Sequence, residues 1–222
     1  MSKYIILGAD NLLLTDYFDA IHALGGQVEA VYQNMPLSPP KRGLSIPDRI
    51  AQLSYPVDHF ESLDGFEPKP GIRYVLGLAT PKKYAMVEAI KQQHDLRFES
   101  VIHPESYLGS NVQVGEGAFI NARATIAPNT VVDDFASINR MAVIGHDAYI
   151  GKHTRIGPSV SLAGGTILGE RCSIGINATI LDYVQIGSRS VIGAGSVVTK
   201  DVPEGKVALG IPAKVIKDND NQ

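Results

Sequence analysis

The second half of the chain repeats its hydrophobic pattern every six residues. From Ile102 to Val198, each sixth residue is Ile, Leu or Val, which gives seventeen such positions without an insertion. Two residues before each of them, from Ser106 to Ser196, the side chain is Ser, Val, Ala, Thr or Cys. A strict period of six fits neither an α-helix nor an ordinary alternating strand. It predicts short strands joined by turns and stacked as a parallel β-helix of hexapeptides.

Glycine often follows the aliphatic residue of the repeat, for example at positions 145, 151 and 157. We expect these glycines to supply turn geometry that a β-carbon would hinder. If three hexapeptides form one triangular coil, each coil contains eighteen residues, and residues 102–197 make a little over five coils.

The first hundred residues have a different pattern, in which apolar runs alternate with segments of helical spacing. This order predicts a small Rossmann-like α/β domain with a parallel sheet over residues 1–98, followed by the β-helix domain with its C-terminal cap over residues 99–222. Within the first domain we predict strands at 3–9, 27–34 and 72–79, helices at 12–24 and 82–94, and a proline-rich loop with little regular structure at 35–70.

Composition and charge exclude several classes of function. The net charge of −3, without a basic cluster, argues against nucleic acid as a partner, because binding phosphates needs grouped Lys and Arg. No apolar stretch approaches the length that spans a membrane, and no signal peptide is visible, so we expect a cytoplasmic protein without a membrane partner. The single cysteine, Cys172, cannot form an internal disulfide and is expected to pack in the core.

The tail "VIGAGSVVTKDVPEGKVALGIPAKVIK", residues 191–217, makes the hexapeptide pattern more specific. With the repeats and the α/β segment, it resembles the hexapeptide-repeat sugar acyltransferases of bacterial glycan pathways. These include nucleotide-amino-sugar N-acetyltransferases and sialic-acid O-acetyltransferase-like proteins. The resemblance implies a left-handed β-helix, acetyl-CoA as co-substrate, a sugar amine or hydroxyl as acceptor, and a homotrimer with active sites between neighbours.

The same resemblance implies roles for three residues of the repeat. A histidine precedes an acidic residue at His146-Asp147, and Asn139 lies seven residues earlier, as in the Asn-x6-His spacing of the family. His146 is then the general base, Asp147 its orienting partner and Asn139 a supporting hydrogen-bonding group. The alternative is that His146 is an exposed turn residue without a role.

The coil length predicts that Gly164 stacks on His146, eighteen residues away. Its missing side chain would leave room for an acyl-pantetheine arm, and its N–H could face the oxyanion. The alternative is an ordinary turn glycine.

Positions that could contact CoA lie in the repeat and in the tail. The resemblance implies that Ala194, Lys200 and Lys214, all in the tail, contact CoA. The two lysines suit this role because CoA carries phosphates. Arg155 stands where family members often have a second histidine, and we predict that it contacts the acceptor or a CoA phosphate, or else faces solvent. For the two lysines, an ordinary surface position is an equal alternative.

The first β-α turn departs from the family pattern. Family members usually have a turn of the form G-x-x-G-H-G, whereas this chain has "GADNLLLTD", in which only Gly8 remains. Asp10 adds a negative charge that would repel a pyrophosphate. We therefore predict that this turn does not bind a nucleotide diphosphate. The contrary arrangement would turn Asp10 outward and present the amide of Asn11 to a phosphate.

Two other functions remain open from the sequence. One is a zinc enzyme such as the γ-class carbonic anhydrases, which bind the metal through three histidines. The spacing of seven residues between His146 and His153 does not fit their ligand spacing, so no metal is expected. The other is a β-helix scaffold without catalysis.

Overall fold

The computed structural model describes residues 1–9, 13–33, 44–78 and 84–220. Its N-terminal part contains four parallel strands in the order β3-β2-β1-β4 and three helices. The strands are β1 (Ser2–Leu7), β2 (Gly26–Tyr32), β3 (Asp58–Phe60) and β4 (Ile72–Leu76), and the helices are α1 (Leu14–Ala23), α2 (Ile46–Ile50) and α3 (Tyr84–His94).

The proline-rich region contains more regular structure than the sequence predicted. Helix α2 and strand β3 both lie within residues 35–70, so the prediction of a loop was wrong there. Helix α2 forms because Ser45 and Asp48 make a capping box and Pro47 occupies its first turn, where a missing N–H costs nothing. Strand β3 extends the sheet as a short edge beside β2.

The N-terminal sheet is covered on both faces, and the β-helix supplies part of each cover. On one face, α1 packs with Val101 and Phe119 of the β-helix, and the ring of Phe119 stacks on Tyr17 with centroids 4.2 Å apart. On the other face, α3 packs with Phe98 and Phe135. Apolar residues on either side of position 98 therefore share the same cores, and a division of the chain at that point stays a prediction.

Residues 101–198 form seventeen strands of two residues each. Each strand pairs in parallel with the strand eighteen residues away, as Ser137 does with Arg155. The strands make three sheets, which fits the left-handed β-helix of hexapeptides. In chain order, β5 to β21 are Val101–Ile102, Tyr107–Leu108, Gln113–Val114, Phe119–Ile120, Thr125–Ile126, Val131–Val132, Ser137–Ile138, Val143–Ile144, Tyr149–Ile150, Arg155–Ile156, Ser161–Leu162, Ile167–Leu168, Ser173–Ile174, Thr179–Ile180, Gln185–Ile186, Val191–Ile192 and Val197–Val198.

The two predicted inward columns form the core of the β-helix. The aliphatic residues from Ile120 to Val198 are buried, and so are the small residues that precede them by two. Where the small residue is Thr, its hydroxyl donates to a carbonyl at a corner, as Thr154 does to Gly169 at 2.7 Å. Cys172 occupies the same column and its Sγ lies 3.2 Å from the carbonyl oxygen of Gly187, which confirms its place in the core.

The turn geometry comes from a different position than the sequence predicted. A left-handed backbone recurs at each sixth residue from Asn111 to Gly195, and most of these residues are not glycine. The glycines that follow the aliphatic residues do not have a positive φ. They permit close stacking instead, because a Cβ on Gly145 would lie 2.5 Å from the carbonyl carbon of Ala163 in the next coil.

The C-terminal segment continues one sheet of the β-helix. Strand β22 (Lys206–Gly210) pairs in parallel with β20, and β23 (Ala213–Asp218) returns antiparallel to β22. Among the described residues, no helix combines the length and the apolarity needed to cross a bilayer.

Candidate active site

His146 and Asp147 lie at the corner between β12 and β13. The left-handed backbone of Asp147, with φ of 54°, turns the chain there, and both side chains point outward, 59% and 58% exposed. Nδ1 of His146 lies 2.7 Å from Oδ2 of Asp147. This geometry fits an Nδ1–H donor to the carboxylate, which leaves Nε2 as the basic nitrogen.

The carboxylate of Asp147 has a second partner in the preceding coil. Nδ2 of Asn129 donates to Oδ1 of Asp147 at 3.1 Å. The hydrogen bonds from His146 and Asn129 hold the pKa of the Asp147 carboxyl below its ordinary value, so it stays ionised at neutral pH. Asn129 did not emerge from the sequence, although its place eighteen residues before Asp147 was a usable signal.

Gly164 lies against the imidazole ring, as the coil length predicted. A Cβ built on Gly164 would come within 2.6 Å of Nε2 of His146. The imidazole itself thus occupies the place of the missing side chain, and a pantetheine arm beside it stays a prediction. The imidazole of His146 therefore packs against the backbone of Gly164.

Tyr183, which the sequence analysis did not single out, lies against Gly165, the residue after Gly164. A Cβ on Gly165 would be 2.5 Å from the Tyr183 ring, which is 74% exposed. Tyr183 N–H donates to the carbonyl of Gly164, and Gly165 N–H donates to that of His146. The imidazole and the phenol ring therefore border the same exposed corner.

Asn139 lies at a different corner of the coil, at the other end of β12. It is buried, and its Oδ1 accepts from Nδ2 of Asn121 at 3.3 Å and from the N–H of Arg140 at 2.7 Å. A single chain does not bring Asn139 into contact with the His146–Asp147 pair.

The residues predicted to contact CoA are spread over the β-helix. Arg155 lies beside Asn139 and Leu13 around a small cavity, on a face that His146 does not share. Ala194 is exposed at the Asn139 corner, whereas Lys200 is exposed at the His146 corner, three coils further on. Lys214 is exposed on β23. One chain does not assemble these four into one site.

A groove of about 440 Å³ lies where α1 meets the β-helix. Asp16 of α1 pairs there with Arg140. The hydrogen bond and the charge of Asp16 raise the pKa of the Arg140 guanidinium, whereas the partial burial of the guanidinium lowers it, and the net effect is a rise. Asp19, Arg49, His103 and Asn121 also line the groove, and Asn121 connects it to Asn139. No local sequence pattern indicates this groove, because its residues come from segments far apart in the chain.

Residues 10–12 of the first β-α turn lie outside the described residues, and Asp10 and Asn11 are among them. Gly8 has a φ of +66°, and a Cβ on it would meet the Met86 methyl carbon at 2.1 Å. The space next to Gly8 is therefore filled by an apolar side chain of α3.

His153 is buried and cannot share a ligand set with His146. Its ring stacks on Phe135 with centroids 5.1 Å apart and meets the edge of Tyr84 at 5.4 Å, so it joins α3 to the β-helix. Among the residues that the structure describes, no three His, Cys, Asp or Glu side chains group as metal ligands.

Comparison with known proteins bears on this geometry. Residues 165–200 match the family model for the bacterial transferase hexapeptide (six repeats). PerB from Caulobacter crescentus, solved in complex with CoA and GDP-perosamine, is similar over 98% of this chain and 98% of its own, with 26% identity and a TM-score of 0.82. The resemblance to hexapeptide-repeat sugar acyltransferases is confirmed. Structures of this perosamine N-acetyltransferase also exist with one histidine replaced by asparagine or alanine.

Two more distant structures share the fold. The acetyltransferase domain of PglB from Neisseria gonorrhoeae, solved with acetyl coenzyme A, covers 97% of this chain and 99% of its own at 21% identity and a TM-score of 0.81. WeeI from Acinetobacter baumannii covers 96% and 99% at 19% identity and a TM-score of 0.76. No curated protein matches the sequence significantly.

Proposed function

We propose that this protein is an acyltransferase that moves the acetyl group of acetyl-CoA to an amino or hydroxyl group of a sugar, with His146 as general base. The observation that carries the proposal is the His146–Asp147 pair, whose 2.7 Å contact occupies Nδ1 and leaves Nε2 basic. The similarity to PerB, a perosamine N-acetyltransferase with CoA bound, supports the acyltransferase class and the co-substrate.

The reaction is direct transfer in a ternary complex. Nε2 of His146 takes a proton from the acceptor as its nitrogen or oxygen attacks the thioester carbonyl carbon. The tetrahedral intermediate collapses with cleavage of the C–S bond, and the CoA sulfur recovers the proton from the imidazolium. Asp147, ionised beside Nδ1, stabilises the positive charge on the ring while the proton is held.

The active site is proposed to lie between two copies of the chain in a homotrimer. Asn139 and His146 occupy different corners of the same coil, so the Asn139 of one copy can approach only the His146 of a neighbouring copy. The groove beside Asn139 offers the exposed carboxylate of Asp19 to sugar hydroxyl or ammonium groups, which makes it the proposed acceptor site.

Whether the acceptor sugar carries a nucleotide does not affect the transfer reaction itself. PerB was solved with a nucleotide-linked sugar. In this chain, Met86 packs against Gly8, which supports a structural role for that glycine. We propose an acceptor sugar without a nucleotide at the first β-α turn. Calorimetry with UDP, GDP, CDP and dTDP tests this point, and micromolar binding that a bulky substitution of Gly8 abolishes would contradict it.

Thiol release from acetyl-CoA tests the function, with amino sugars and nucleotide-linked amino sugars as acceptors. His146→Ala is expected to lower turnover by roughly 10²–10⁴-fold with the fold intact, the range for loss of a general base. Asp147→Asn should lower it less, because an amide keeps some orientation without the charge. His22→Ala, at an exposed histidine of α1, is the control. Wild-type turnover in His146→Ala would refute the base, and no release with any acceptor would favour a scaffold.

A further inference from the structure

Three side chains form a directed line of hydrogen bonds that ends at His146. Asn111, Asn129 and Asp147 occupy the same corner of three successive coils, each with a left-handed backbone. Nδ2 of Asn111 donates to Oδ1 of Asn129 at 3.2 Å, and Nδ2 of Asn129 donates to Oδ1 of Asp147 at 3.1 Å. The remaining oxygen of Asp147 is the one that meets Nδ1 of His146.

We propose that Asn129 is a positioning residue of the transfer reaction, which acts through Asp147 to hold His146 with its proton on Nδ1. The inference rests on the proposed function in one respect, that His146 is the base. Asn129 does not touch the reacting atoms.

The physical reason is the exposure of the pair. At 58% exposure, packing does little to hold the Asp147 carboxylate, and water competes for both of its oxygens. With Oδ1 bound by Asn129, the carboxylate keeps the rotamer that presents Oδ2 to the imidazole. An imidazole without such a partner favours the proton on Nε2, which leaves the nitrogen facing the acceptor without a lone pair.

Asn111 fixes the direction of the line. An amide can present either its oxygen or its NH₂ group to Asp147, and only the NH₂ group is attractive. Because Asn111 donates to the oxygen of Asn129, the NH₂ group of Asn129 is turned toward the carboxylate. A carboxylate at position 111 can only accept, so Asn111→Asp would favour the opposite direction and place an oxygen of Asn129 against Asp147.

The left-handed backbone of this corner permits a substitution by glycine that removes the side chain and leaves the turn unstrained. Glycine adopts this conformation without strain, so Asn129→Gly removes the amide and keeps the turn. Asn177 has the same backbone, with φ of 59°, at another corner, and Asn177→Gly is the matched control.

Two measurements test the proposal. In ¹⁵N-histidine NMR spectra, the wild-type His146 signal, assigned by its loss in His146→Ala, is expected to show the proton on Nδ1. Asn129→Gly and Asn111→Asp should shift it toward Nε2, while Asn177→Gly should not. In turnover assays, Asn129→Gly should lower kcat by about tenfold with KM unchanged, by analogy with partners that orient ligating histidines, and should have no further effect in a His146→Ala background.

The two readouts separate the positioning role from the function itself. A tautomer change without any acetyl transfer would support the positioning of His146 and reject the function. A wild-type tautomer and wild-type kcat in Asn129→Gly would overturn the proposal. So would an equal loss of kcat in the presence and absence of His146, because it would show an effect on the fold.

Discussion

Gly164 provides the sharpest test of where the base must lie. In Gly164→Ala, the new Cβ would lie 2.6 Å from Nε2 of His146 and 2.8 Å from Cε1, and no backbone atom is among its three nearest neighbours. Gly164 has no positive φ, so alanine fits the local backbone. The imidazole is exposed and is the group that yields.

The size of the movement follows from these distances. Ordinary contact begins at 3.4 Å, so Nε2 must retreat by about 0.8 Å from its 2.6 Å position. A misplacement of about 1 Å at a reacting group costs on the order of 10²-fold in rate. We therefore expect kcat for acetyl transfer to fall by about 10²-fold, while the thermal midpoint stays within a few degrees, because a substitution that disturbs only an exposed side chain changes stability by about 0.5 kcal/mol or less.

Three variants make the assay decisive. Gly145→Ala is the contrast, since its Cβ would strike the backbone of Ala163 at 2.5 Å and should lower the midpoint strongly. The double variant His146→Ala/Gly164→Ala should be no slower than His146→Ala alone. Wild-type kcat in Gly164→Ala would refute the reasoning, as would a further loss in the double variant.

Two remaining predictions concern assembly and the buried thiol. Light scattering should give three times 23.8 kDa, about 71.4 kDa, and a monodisperse monomer would reject a site shared between copies. Burial raises the pKa of the Cys172 thiol to about 11, so at pH 8 a thiol reagent should modify it only after unfolding. Because the folded state holds this proton more tightly, its stability contribution is complete below pH 9.0, the ordinary value, and is lost as the pH rises toward 11. Cys172→Thr should weaken this alkaline loss, and rapid labelling of the native protein would contradict the assignment.

The β-helix was predictable because its repeat constrains every coil in the same way. Stacking requires a large and a small inward residue in each hexapeptide, so the pattern appears seventeen times in the sequence. The left-handed corner was not predictable, since residues as different as Phe135, Asp147 and Arg189 occupy it. The stacked coils fix that backbone, and the side chain has little influence on it.

The helices and strands of the N-terminal part were harder to predict from the sequence, because tertiary contacts determine them. Strand β3 has only three residues and pairs with β2 at the sheet edge, which no local pattern indicates. The capping box of α2 was present in the sequence as Ser45 and Asp48, yet the surrounding prolines obscured it. Asn121 and Asp16 meet in one groove although more than a hundred residues separate them.

The residues of the candidate site also differ in how well the sequence located them. His146 and Asp147 are adjacent in the chain, and Gly164 follows by one coil, so sequence and period together locate them. Asn129 obeys the same period in the opposite direction, so the coil length could have placed it beside Asp147 as well. Asn139 was grouped with His146 by spacing, but a separation of seven residues moves the chain from one corner to the next.

The backbone of the His146 corner is fixed independently of the side chains that make the site. The N–H of Asp147 donates to the carbonyl of Pro128 in the coil before, at 3.0 Å, and the carbonyl of His146 accepts from Gly165 in the coil after, at 2.8 Å. The peptide between base and carboxylate is thus held from both sides by main-chain bonds that no side-chain substitution removes. A change at Asn129, Asp147 or His146 should therefore alter proton transfer without moving the corner, so the kinetics of these variants can be interpreted as chemistry at the site.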